Sequence, residues 1–153
     1  MQIFFDLGLK GAISIFDKQK FVKVIKYQLN NKAKKSCQEK ILQFHHLVKN
    51  LFSQPSKIKK IGCHKPFGTN RNTIINLALM SCVLIIFFAQ SEFVFINEWN
   101  SWKEILQKKQ IPKREIKKDI TIKWVEKHFN LTKINDDEAD AILGGYWMSK
   151  NKN

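Results

Sequence analysis

The chain has 153 residues, 44% of them hydrophobic and 26% charged, which suffices for one domain with a real core and excludes disorder throughout. Its 27 Lys and Arg against 13 Asp and Glu give a formal net charge of +14, an excess that favours a polyanionic partner over a merely lysine-rich solvated surface. Cys37, Cys63 and Cys82 show no C-x-x-C spacing, so neither a disulfide framework nor a zinc ribbon is indicated, and a reducing, cytoplasmic setting fits best.

Residues 2–7 and 11–17 are two short β-type runs around Gly8-Leu9-Lys10, which predicts a hairpin. The run 21–27, rich in β-branched residues, extends it as a third strand, and Lys23 and Lys26 set that strand near an edge. Between Ser36 and Phe52, apolar residues at Ile41, Phe44, Leu47, Val48 and Leu51 keep helical spacing. Ser36 and Glu39 stand at the positions of a capping box. Residues 59–64 read as a strand that runs into Lys65-Pro66-Phe67-Gly68, and a long apolar helix starts near Asn72 or Thr73. The apolar part of that helix, Ile74 to Ala89, carries Asn76 and Ser81 and falls short of the roughly 20 apolar residues of a membrane span. It is therefore read as a buried core helix, the rival being a small basic membrane protein anchored through residues 74–95.

Phe93-Val94-Phe95-Ile96 is a compact β run, 99–108 and 113–129 look helical, and a last helix follows the acid-rich turn Asn135-Asp136-Asp137-Glu138-Ala139-Asp140-Ala141. Strands first, then strands alternating with helices, indicate an α/β fold: a mixed sheet covered by helices. The N-terminus lacks a basic region ahead of an apolar stretch and does not read as a signal peptide.

Carboxylates crowded onto a basic chain need a physical reason, since like charges three or four apart on a helix repel by about 0.2–0.5 kcal/mol. Capping and the helix dipole account for Asp136 to Glu138. Asp140 lies beyond their reach. Asp137 and Asp140, three apart, share one helix face, and Asp6 stands among Phe4, Phe5 and Leu7 in the first strand, where an unpaired carboxylate is costly. A divalent cation would unite the three. Tyr27, Trp99 and Phe67 are read as core aromatics rather than as platforms for unpaired bases.

Four segments carry a resemblance to a known family. Phe5-Asp6-Leu7-Gly8-Leu9-Lys10-Gly11-Ala12 looks like the opening Asp-x-Gly hairpin of the RuvC-type Holliday junction resolvases, and Asp137-Glu138-Ala139-Asp140-Ala141-Ile142-Leu143 is similar to that family's C-terminal Asp-x-x-Asp-Ala helix. Lys65-Pro66-Phe67-Gly68 followed by an apolar helix resembles the segment after the family's fourth strand, and Trp102-Lys103 resembles a Trp-Lys pair of its small phage-type members.

The resemblance implies one RNase H-like resolvase domain over residues 1–150. Its sheet would be an antiparallel meander of three strands followed by parallel strands, with helices on both faces. The implied activity is that of a crossover junction endodeoxyribonuclease: a metal-dependent, structure-selective DNA endonuclease that resolves Holliday junctions or other branched DNA as a homodimer, away from any membrane. Two Mg²⁺ or Mn²⁺ ions, about 3.5–4 Å apart, would activate water and stabilise the leaving oxygen. Asp6, Asp137 and Asp140 correspond to three of the family's four metal-binding acids, and Lys103 would approach the scissile phosphate. The fourth acid, a glutamate in the family, aligns with His64, or with Gly62 or Cys63 if the register slips. His64 is then either a ligand that shifts the preference toward Mn²⁺ or a structural strand-end histidine. In the second case the chain would bind branched DNA without cutting it.

Overall fold

The computed structural model describes residues 1–30, 36–68, 70–103, 105 and 114–151. Strands β1 (Gln2–Asp6), β2 (Lys10–Asp17) and β3 (Lys20–Gln28) form an antiparallel meander, and β4 (Lys60–His64) and β5 (Glu92–Ile96) add in parallel on the other side of β1. The sheet order is β3-β2-β1-β4-β5. This is the predicted arrangement, with β1 in the middle. Its central residues Ile3, Phe4 and Phe5 are buried in succession, as expected of a strand covered on both faces.

Strand parity sorts the two faces. Ile3, Phe5, Ile13, Ile15, Ile61 and Cys63 meet α1 (Cys37–Leu51) and α2 (Arg71–Phe87). Phe4, Ser14, Phe16 and Gly62 point the other way, against α5 (Asp136–Lys150). Helix α4 (Arg114–Phe129) and the short α3 (Glu98–Lys103) pack on α5 through Val125 and Trp102, which are buried with Ile142 and Leu143. Lys117 Nζ lies 4.1 Å from the centroid of the Trp102 ring, a cation–π contact. The predicted helix 99–108 is α3 as far as Lys103, and its remainder falls outside the described residues apart from Ile105.

Local signals explain the helix ends. Ser36 and Glu39 form the expected capping box on α1, and Asn135 and Glu138 form another on α5. Asn70 caps α2 by accepting from the N–H groups of Asn72 and Thr73, so that helix begins slightly earlier than its apolar run. Helix α4 ends where Asn130 turns left-handed (φ 53°), a conformation asparagine tolerates.

Two expectations change. Helix α2 is not a buried core helix. It buries Met80, Ser81 and Leu84 against the sheet, and Asn76 accepts from the Cys37 thiol of α1, which accounts for two of the polar residues in the apolar run. Ile75, Leu79, Cys82 and Ile86 form an exposed stripe, with Ile86 76% exposed. Because the segment is apolar on every side, periodicity had no contrast from which to tell its outer face. Phe67 is likewise exposed, in the turn before α2, and not core. Among the described residues no helix is long and apolar enough to cross a membrane.

Candidate active site

The site is built where the central strands end. Asp6 is the last residue of β1, and parity puts its side chain on the same face as Phe4, toward α5. The parallel register Phe4↔Gly62 and Phe5↔Cys63 makes His64, the last residue of β4, the neighbour of Asp6 on that face. His64 Nδ1 stands 3.8 Å from Asp6 Oδ1, too long for a hydrogen bond. The imidazole packs edge-on against Phe4, with ring centroids 4.9 Å apart. Its Nε2 is buried with no hydrogen-bond partner among the described residues. Cys63 faces the other way, toward α1 and α2, beside Ser81, its thiol pushed up to about 12 by burial.

Helix α5 brings the acid-rich turn to the same place. Gly144 and Gly145 let it lie close on the sheet: a Cβ on Gly144 would fall 2.3 Å from the Phe4 ring, and one on Gly145 2.4 Å from Ser14 Oγ. Ser14 Oγ, buried on β2, donates to the Ala141 carbonyl at 2.6 Å. With α5 fixed at that depth, the acids of its first turn separate by role. Asp136 pairs with Lys118 of α4, and Glu138 closes the capping box and pairs with Lys26 at 3.4 Å. Asp137 pairs with neither lysine in this way and lies within electrostatic range of Asp6. Its carboxyl is held above the ordinary carboxylate range, first by burial, then by the charges of Asp6 and Asp136, with Lys118 and Lys10 pulling the other way.

Two structures of Thermus thermophilus RuvC match the chain. One, RuvC in complex with a Holliday junction substrate, has a TM-score of 0.69 at 9% identity, covering 96% of this chain and 92% of that one. The other has a TM-score of 0.68 at 9% identity, covering 95% and 92%. The fold is RuvC-like. No family model and no curated protein sequence matches the chain.

Within this RuvC-like fold the remaining expected site residues are placed as follows. Asp140 is half-buried one turn beyond Asp137 in α5. Lys103 is the last residue of α3, and its side chain lies outside what is described. Among the described residues no three His, Cys, Asp or Glu side chains converge closely enough to hold a metal ion as a ready-made cage. The donor set nevertheless suits a hard cation. Mg²⁺ keeps several waters and is typically held through one or two carboxylates plus substrate phosphates, and Asp6 and Asp137 offer two carboxylates, the charge of the first raising the cost of ionising the second. A cation between them would relieve that cost.

Four residues contribute in ways that escaped sequence reading. Tyr27 looked like core, yet its hydroxyl donates to the Asp6 carbonyl at 3.1 Å. Lys118 was one surface lysine among many, and Gly144 and Gly145 were two small residues on an apolar face. For Tyr27 a signal existed: with Lys10 to Asp17 and Lys20 to Gln28 paired as a hairpin, Gly11 faces Tyr27, so a large side chain sits opposite none.

Proposed function

We propose that the protein is a metal-dependent, structure-selective DNA endonuclease acting on branched DNA such as four-way junctions, with one resolvase domain over residues 1–150. The observation that carries this reading is the placement of Asp6 at the end of the central strand of a RuvC-like sheet, within electrostatic range of Asp137 of α5, on a chain of net charge +14. Asp6 and Asp137 would hold Mg²⁺ or Mn²⁺, with Asp140 and His64 completing the set around one or two ions. A cation there supplies a lowered pKa for bound water and neutralises charge that develops on the phosphate oxygens. The chain's own groups do the rest. Lys10, Lys26 and Lys118 surround the acids with positive charge, which draws the DNA backbone in without reading base sequence. Lys103 at the end of α3 would reach the scissile phosphate.

Symmetric cutting of a junction calls for two copies. The exposed stripe Ile75, Leu79, Cys82 and Ile86 supports a homodimer through α2, because no charged residue lies between Arg71 and Glu92 and two such faces meet without desolvating charge.

The test is a nicking assay on a synthetic four-way junction in Mn²⁺ and in Mg²⁺, with wild type, Asp6→Asn, Asp140→Asn and His64→Glu in parallel. Wild type should nick, both Asn variants should lose nearly all activity, and His64→Glu should improve the Mg²⁺ reaction. A second reading is favoured by one observation, the imidazole of His64 beside Asp6 where a fourth acid is expected: a domain that binds branched DNA without cutting it. Tight junction binding with no nicks in either metal would establish that reading and remove the first.

A further inference from the structure

Tyr27 belongs to the face of the sheet opposite α5, where its ring meets Phe44 of α1 at 6.0 Å between centroids. From there the phenol reaches across β2 to the end of β1. Its hydroxyl donates to the Asp6 carbonyl at 3.1 Å and accepts from the Gly8 N–H at 3.3 Å. The passage exists because the residue it crosses is Gly11, its partner on β2, where a Cβ would stand 2.6 Å from the phenol oxygen and 2.3 Å from the Asp6 carbonyl oxygen. A buried tyrosine needs one partner for its hydroxyl. This one has two, and both belong to the three-residue stretch 6–8 that carries the site acid.

We propose that Tyr27 is a positioning residue for Asp6: from behind the sheet its hydroxyl fixes the main chain on which the Asp6 carboxylate stands, and with it the approach of Asp6 to Asp137. The consequence for cation binding rests on the reading of the acids given above. In Tyr27→Phe the ring still fills its place against Phe44, but the Asp6 carbonyl and the Gly8 N–H lose their shared partner. Beyond the strand ladder, the following turn then keeps the bond from Leu29 N–H to the Leu9 carbonyl, at 2.7 Å. Outer partners of this kind tune a site by holding the ligating residue still.

Two readouts on the metal-free, full-length protein test this. Amide exchange at Gly8, followed by NMR, should be about tenfold or more faster in Tyr27→Phe than in wild type. Mn²⁺ binding, followed by the loss of the free-ion EPR signal, should weaken by about tenfold in Tyr27→Phe and vanish in Asp6→Asn. A merely structural tyrosine would lower the melting temperature and leave the Mn²⁺ midpoint unmoved, and that result overturns the proposal. If wild type binds no Mn²⁺, the cation reading falls, and Tyr27 is judged on Gly8 alone: unchanged exchange there overturns its role. Should Tyr27→Phe fail to fold, the wild-type spectrum decides. A slowly exchanging Tyr27 hydroxyl proton close to the Gly8 amide supports the role, and a rapidly exchanging one refutes it.

Discussion

Substituting Gly144 by Ala tests whether α5 must lie as deep on the sheet as it does. The new Cβ would stand 2.3, 2.5 and 2.7 Å from three atoms of the Phe4 ring, whereas ordinary carbon contacts are about 3.5–4.0 Å. Relief takes a displacement of about 1 Å, and Phe4 cannot supply it freely because its ring is fully buried and braced against His64. Overpacking of this kind costs about 1–3 kcal/mol, and exchanging Gly for Ala inside a helix returns about 1 kcal/mol. The net loss is thus about 0–2 kcal/mol, or up to about 8 °C in melting temperature for a chain of this size. Asp137 moves with the helix, and a 1 Å misplacement can lower a rate by about 100-fold. Activity should therefore fall far more than stability. The assay pairs urea unfolding with junction nicking, and adds Phe4→Leu to make the double variant, in which the smaller side chain should recover part of both losses. Gly144→Ala with wild-type nicking and wild-type stability would refute the close approach on which the site is built.

Asp137→Asn should raise the urea midpoint near pH 7 and change it little near pH 3. Ionised Asp137 is disfavoured in the native state by burial and by Asp6, so its penalty on native stability appears as pH rises through and above the carboxylate range; an equal effect at both pH values would contradict that assignment. Ser14→Ala removes a buried hydrogen bond of 2.6 Å to α5 and should cost about 1 kcal/mol, read from the same unfolding curves; no change would mean that the bond does not help to hold the helix. Ile86→Asp should convert a dimer to a monomer in light scattering while shifting stability by no more than about 0.5 kcal/mol, since Ile86 is exposed in the protomer; a wild type that is already monomeric would remove the α2 interface.

The sheet and the start of α1 were legible because their signals are local: a turn at Gly8, β-branched runs, and the capping box of Ser36 and Glu39. The two faces of α2 were not legible, because a segment apolar all round carries no phase. The first site acid and the last helix stood out as a carboxylate among phenylalanines and as crowded charge on a basic chain. What separated Asp137 from Asp136 and Glu138 was invisible in the sequence. Lys118 and Lys26, which engage the latter two, come from α4 and β3, and only the packed structure says which lysine meets which acid. Tyr27 is core, as its sequence context predicts, but its second contact was hidden for a related reason: burial and service to the site are not exclusive when a long side chain anchors at one end and works at the other.

Asp6 is made near the start of this sequence and Asp137 in the last helix described, so the acid pair has no existence in a partly synthesised chain. Helix α5 is also what covers Phe4, Ser14 and Phe16, so a chain interrupted before residue 136 forfeits the acids together with the roof over its central strands. Completion of the fold and assembly of the acid pair are therefore a single event.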